Sequence, residues 1–369
     1  MSRALLSLLL VLLTGCTAAR IAQPDALPAF DGFAQTADGW RLSMFRVPAV
    51  ATGSAHQGTP VLLVHGTATN RLTFMLKGSD LATYLSEEGF DVWIAELRGD
   101  RTSQPPTAAH WSRGDWDVDR MASQDVPAIL HHITAATGRD DVLWVGHSLG
   151  GILGYITLQS PSLAPRVRGL VAIGSPGAFA QPTDAARRIS GLDGLAPKNG
   201  QFGMRSLAAL GKGSLRVGPD APLFHMLFNA ANLDVDAAAN FASVGMENIG
   251  GQVIQQFDAW AEGGSLTSAD GSTDWTAGLG SVQAPVLFVA GSVDHIAPPW
   301  TVRAAYDRVG SADKSWVTMG RGWGQREDYG HGDLLLGDWA FEEVFPQVKD
   351  WLVAHSGPSP GEAAPSSAP

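Results

Sequence analysis

A single cysteine, Cys16, stands in 369 residues. Intramolecular disulfides, thiolate metal sites and two-thiol redox chemistry are therefore excluded. Positive charge is scarce as well: 25 Lys and Arg face 36 Asp and Glu, a net charge of −11, which argues against nucleic acid as a partner. No apolar run beyond the N-terminus is long enough to span a bilayer. What the chain does have is apolar residues, 45% of the total. That suffices for a sizeable core, in one large α/β domain with an insertion or in two small domains.

The first twenty residues, MSRALLSLLLVLLTGCTAAR, read as an address. Arg3 supplies a short positive region, Ala4 to Leu13 an apolar one, and Thr14-Gly15 the small residues before Cys16. This predicts a secretory signal, 1–15, too short to be a stable spanning helix. Leu13-Thr14-Gly15-Cys16 resembles a bacterial lipobox, which implies a lipidated Cys16 and a protein held at the cell envelope, facing the periplasm or on the outer membrane.

Residues 16–38 are rich in Ala, Pro and Gln without apolar periodicity and read as a tether; 357–369 form a Pro/Ser/Ala tail that cannot build a core. Between them short apolar runs alternate with helical patterns. Strands are predicted over Trp40 to Val47, Val61 to Val64, Phe90 to Ala95, Val142 to Val145, Val167 to Ile173, Val286 to Ala290 and Ser315 to Met319. Helices are predicted over Ser79 to Glu88 with Ser79 as cap, Asp117 to Thr137 despite Pro127, Leu149 to Gln159, Pro299 to Val309 and Glu342 to Ala354. Such alternation implies a mostly parallel central sheet covered by helices on both faces. The rhythm breaks between Pro176 and Val282, which has helical patches and no clear buried strand. The expected organisation is a core in two parts, 39–175 and 283–356, with a helical cap, 176–282, inserted over the sheet's active edge.

The strand Val142 to Val145 runs into Gly146-His147-Ser148-Leu149-Gly150-Gly151 and then a helix. G-x-S-x-G is weak by itself; a buried strand, sharp turn and helix around it make it specific. Such a turn lifts the Ser148 hydroxyl above the sheet and aims a helix N-terminus at it. A hydroxyl needs a base to take its proton and an acid to orient that base. Asp294 follows the end of strand Val286 to Ala290, and His331 lies in a loop after strand Ser315 to Met319. Asp333 is the rival acid, too near His331 in sequence to bridge the site easily. The backbone N–H groups of Leu149 and Thr67 are the candidate oxyanion donors, Thr67 because Val64-His65-Gly66-Thr67 turns after the first buried strand. His65, before that glycine, reads as a structural hydrogen bonder. Phe224 and Phe228, at i, i+4 in the cap, and Trp300 and Trp323, in loops near His331 and Asp294, are the candidate pocket residues.

Gly89-Phe90-Asp91-Val92-Trp93, Leu97-Arg98-Gly99-Asp100, Asp125-Val126-Pro127-Ala128, Val145-Gly146-His147-Ser148 and His331-Gly332-Asp333 together resemble the acid lipases, the gastric and lysosomal family of α/β-hydrolase-fold serine hydrolases. The resemblance covers roughly residues 60–175 and 284–354. It implies ester hydrolysis with Ser148, Asp294 and His331 as triad, acting on a small-molecule or lipid ester, with no metal or organic cofactor. Two departures stand out: Leu149 replaces the usual Gln, and the cap is divergent, so triacylglycerol does not carry over as substrate. Acyl transfer on the same scaffold, and a non-catalytic surface-binding lipoprotein, are the alternative readings.

Overall fold

The computed structural model describes residues 29–76, 80–114, 116–179, 200–206, 208 and 222–357. The chain runs through β1 (Ala29–Gln35), β2 (Arg41–Val47), β3 (Pro60–Val64), α1 (Leu81–Glu87), β4 (Asp91–Ala95), α2 (Val126–Thr137), β5 (Val142–His147), α3 (Leu149–Gln159) and β6 (Val167–Ile173). Between β6 and β9 come β7 (Gln201–Phe202), a short helix Pro222–Leu227, α4 (Val235–Val244), β8 (Ile249–Gly250) and α5 (Gly251–Gly263). The alternation then resumes with β9 (Val286–Gly291), α6 (Pro299–Arg308), β10 (Lys314–Met319) and α7 (Phe345–Ala354).

Eight strands form one sheet in the order β1-β2-β4-β3-β5-β6-β9-β10. The β1–β2 and β2–β4 pairs are antiparallel and the rest parallel. Every residue of β3, β4, β5 and β9 is buried, the reason those strands read as unbroken apolar runs. Successive side chains go to opposite faces. Leu62, Val64, Trp144 and Phe288 pack with α2, α3 and α6, whereas Val61, Leu63, Val145 and Val289 pack with α1 and α7.

Four expectations are corrected. The tether ends early, because β1 begins at Ala29 and pairs with β2; its one buried residue, Ala34, and the bulge at Phe30/Gly32 leave no periodicity to read. The cap of α1 is Asp80, whose carboxylate accepts the Thr83 N–H at 2.8 Å, and Ser79 lies outside the described residues. The helix expected from Asp117 carries a π-turn over Met121–Asp125, directly before α2, so the missing N–H of Pro127 falls in the first turn of α2. The last helix is two pieces, Ala340–Glu343 and α7, separated at Val344 just before Phe345-Pro346.

Arg98 is buried and joins three elements: it pairs with Asp125 at 2.7 Å and with Asp38 at 2.8 Å. Burial pushes the Asp125 carboxyl up to about 6 against the pull of Arg98. The Leu97-Arg98-Gly99-Asp100 and Asp125-Val126 segments thus brace the sheet edge that carries β1 and β2. Cys16, the expected signal and the tail from 358 lie outside the described residues. Among the described residues no helix is long and apolar enough to cross a membrane.

Candidate active site

Ser148 sits between β5 and α3 with φ 53 and ψ −116, a conformation that L-residues rarely adopt and that marks a strained turn. Glycine is required around it by close approach. A Cβ on Gly146 would run into the Gly150 carbonyl group, and one on Gly150 into the Val64 carbonyl oxygen of β3. Gly151, not singled out in the sequence, is needed too, since its Cβ would strike Ser175 Oγ.

Asp294 follows β9 and is buried, and its Oδ1 accepts the N–H groups of Ile296 at 2.8 Å and Ala297 at 2.7 Å. Its Oδ2 faces His331 Nδ1 at 2.7 Å. With Oδ1 saturated by backbone donors, Oδ2 is the oxygen free for the imidazole, so Nδ1 carries a proton and Nε2 is left as an acceptor.

The His331 loop is clamped on several sides. Val293 N–H donates to the Tyr329 carbonyl at 3.1 Å, and Gly332 N–H donates to the Leu227 carbonyl at 2.7 Å. Asp333 is fully buried and points away from His331: its Oδ2 accepts the N–H groups of Gly330 at 2.8 Å and Asn229 at 2.7 Å. Burial pushes its carboxyl up to about 8 in spite of those two donors. The rival acid is a staple between the loop and the cap.

His147 carries no signal in the sequence beyond its place before Ser148. Its buried ring lies 4.6 Å from that of His331, centroid to centroid, and its Nε2 donates to the His331 carbonyl at 3.1 Å. Burial, followed by the proximity of His331, lowers it to about 3, so it acts as a neutral donor. That contact spans 184 residues of sequence, and no local spacing announces it.

Ser148, His331, Gly66 and Thr67 border a cavity of about 200 Å³ whose remaining wall is mostly apolar, with Met226, Phe228, Phe241, Met246, Ile254 and Phe257, and includes Asp258. Leu149 opens α3 directly after Ser148, and the Thr67 N–H has no hydrogen-bond partner among the described residues. Of the expected pocket residues, Phe228 lines the cavity, and the side chain of Phe224 lies outside the described residues. Trp300 and Trp323 do not line it; they are 42% and 60% exposed. The inward side of α6 is taken by Thr301, Val302 and Ala305, which turns Trp300 outward, and Trp323 ends a tight turn over Arg321–Trp323.

A mostly parallel sheet with a serine-bearing elbow after a central strand defines the α/β-hydrolase class. The chain belongs to that family: the model described as the alpha/beta hydrolase fold matches residues 59–319. The lysosomal acid lipase/cholesteryl ester hydrolase of Homo sapiens is 30% identical over 173 residues, 45% of this chain and 43% of that protein. Triacylglycerol lipase 2 of Arabidopsis thaliana is 33% identical over 156 residues, 39% of this chain and 36% of that protein. The chain thus matches less than half the length of these relatives. Among solved structures, a thermophilic esterase from Thermogutta terrifontis superposes with a TM-score of 0.57 at 19% identity, covering 90% of this chain and 100% of the other. A monoacylglycerol lipase from Paleococcus ferrophilus gives 0.54 at 20% identity, covering 85% and 99%.

Proposed function

We propose that the protein is a carboxylic ester hydrolase of the lipase/esterase type, working through Ser148, His331 and Asp294 and an acyl-enzyme. The observation that carries this is the His331–Asp294 pair, 2.7 Å apart, with His331 lining the same largely apolar cavity as Ser148. His331 Nε2 takes the Ser148 proton as Oγ attacks the ester carbonyl, and Asp294 steadies the imidazolium that results. The Thr67 and Leu149 N–H groups receive the developing oxyanion beside a mostly apolar wall, where each such bond is worth more than in bulk solvent. His331 then returns the proton to the departing alcohol, and water releases the acid by the same steps in reverse order.

The apolar wall supports a lipid or other apolar acyl ester as substrate. The N-terminal segment supports delivery to the cell envelope and attachment through a lipidated Cys16. A serine-directed fluorophosphonate tests the reading: it should label the protein at Ser148 and fail to label Ser148→Ala, whose hydrolysis of a short ester should drop by about 10³-fold or more. A folded Ser148→Ala with ordinary turnover ends the proposal.

A further inference from the structure

Below the oxyanion turn lies a buried ionic cluster that the mechanism above does not use. We propose that His65, held by Asp100 and Glu96, is a positioning residue that aims the Thr67 N–H at the oxyanion through the carbonyl of Gly66. This rests on the reading of Thr67 as an oxyanion donor.

The Gly66 carbonyl and the Thr67 N–H belong to one trans peptide, so they point in opposite directions. His65 Nδ1 donates to that carbonyl at 2.9 Å and Thr69 Oγ1 donates to it at 3.0 Å. Two donors on one carbonyl fix the peptide plane, and the N–H on its far side borders the cavity without a partner among the described residues. The peptide also abuts the nucleophile: a Cβ on Gly66 would stand 3.0 Å from the Ser148 Cβ. A small rotation therefore changes the one N–H that must meet a developing charge.

The ring itself is fixed from its other end. His65 Nε2 lies 2.9 Å from Asp100 Oδ2 and 3.7 Å from Glu96 Oε2. Nδ1 thus donates to a carbonyl, while Nε2, which makes no hydrogen bond of ordinary geometry among the described residues, faces two carboxylates, a setting that favours the imidazolium. Burial alone would lower His65, but Asp100, and behind it Glu96, outweigh that and push it up to about 9. The charges around it close on one another. Arg71 holds Glu96 at 2.6 Å; Arg101 holds Glu247 of the cap at 2.7 Å; His147 faces it from the nucleophile turn as a neutral ring. Three carboxyl groups share two guanidinium groups, and burial raises the Asp100 carboxyl well above its usual range as well. The His65–Asp100 pair therefore holds one proton between its members, and the neighbouring carboxylates draw it to the imidazole, where an unpaired buried charge would be costly.

His65, Glu96 and Asp100 also bring ligand atoms within 4.8 Å of one another. The direct His65–Asp100 contact and the Arg71 guanidinium on Glu96 assign these atoms to each other rather than to an ion. The cluster reaches the cap as well: Glu247 N–H donates to the Ala68 carbonyl at 2.8 Å, and Asn70 Nδ2 donates to the Glu247 carboxylate at 2.8 Å. The turn that carries Thr67 is thereby tied on one side to His65 and on the other to the cap.

The test uses the full-length protein and a soluble short-chain p-nitrophenyl ester. His65→Leu should lower kcat by about a hundredfold with KM held within about threefold, the signature of a lost oxyanion donor. His65→Asn, whose amide can still reach the Gly66 carbonyl, should recover about tenfold of that loss. Because His65→Leu strands two buried carboxylates and threatens the fold, Asp100→Asn is the second arm. In the parent, kcat should fall as pH rises through about 9, where the imidazolium is lost. Asp100→Asn keeps an acceptor and removes the charge, so this limb should move down by about a pH unit or more, with fluorophosphonate labelling of Ser148 intact at pH 6. A limb that is missing from the parent or unmoved in Asp100→Asn, or a folded His65→Leu with kcat within about threefold of the parent, overturns the proposal. Failure of the parent to label at Ser148 would instead strike the esterase reading itself.

Discussion

Two acidic residues, Asp294 and Asp333, stand close to His331 in the fold, and only the first meets its ring. Asp294 accepts the Ile296 and Ala297 N–H groups through Oδ1 and touches Nδ1 through Oδ2. Asp333 spends Oδ2 on two backbone donors and has an Oδ1 that is buried with no partner among the described residues. Asp294→Asn should therefore cut kcat/KM by about 10³–10⁴, through a misdirected imidazole, while Asp333→Asn, an amide in place of a protonated acid, should stay within about threefold of the parent. Stability separates the two in a second way. The unfolded Asp333 carboxyl loses its proton near pH 4, the folded one near about 8, so between those values the native state binds the extra proton and loses stability as pH rises, by at most ~1.4 kcal/mol per unit. Asp333→Asn should be level with the parent near pH 4–5 and melt higher above pH 8, in thermal scans at the two pH values. Ser148, Asp294 and His331 are legible as candidates because each follows a strand pattern in chain order, and the structure sets Asp294 Oδ2 2.7 Å from His331 Nδ1. The sequence is silent on His147, on the staple role of Asp333 and on Glu247, whose partners are set by folding; the Asn70–Glu247 bond crosses 177 residues.

Among elements, legibility followed burial. The buried strands β3, β5 and β9 are built on continuous apolar runs, β4 and β6 on such runs after an Asp91 or Arg168 near their start, and α3 appears over the same residues that its pattern predicts. The edge strand β1 and the short cap pieces carry weak periodicity, because a strand with one buried residue or a six-residue helix has little face to hide. The cap's contribution to the cavity is clearer in the structure. Phe228 meets Phe241 edge-on, with ring centroids 6.3 Å apart, and a Cβ on Gly332 would run into the Phe228 ring. Phe228 therefore both walls the cavity and props the loop that carries His331. Phe228→Ala should lower turnover for every acyl length, whereas Phe241→Ala, further from that loop in contact terms, should move preference toward longer or bulkier acyl groups by about tenfold in relative kcat/KM. An ester series of increasing chain length measures both; identical length profiles for the parent and a folded Phe241→Ala would remove the cap from substrate selection.

At the scale of the whole molecule the remaining question is where the cavity meets its substrate. The proposed anchor, Cys16, is separated from β1 by residues 17–28, a stretch that reaches at most ~47 Å even if fully extended. Since β1 starts at Ala29, this is a shorter leash than a tether running to residue 38 would give. Electrostatics offers no second hold: a net charge of −11 is repelled by anionic lipid surfaces, and no polybasic segment compensates. Attachment should then depend on the acyl chains alone, several of which on one residue are needed for a firm hold. Cys16→Ser should accordingly shift the protein out of the membrane fraction, or leave it unprocessed, without changing hydrolysis of a soluble short ester. Against an ester embedded in vesicles, the released form should lose activity relative to the parent, because the leash no longer raises the local substrate concentration. Mass spectrometry of the mature N-terminus reads the modification directly; an unmodified Cys16 in a membrane-bound protein would show that something other than the cysteine holds it there.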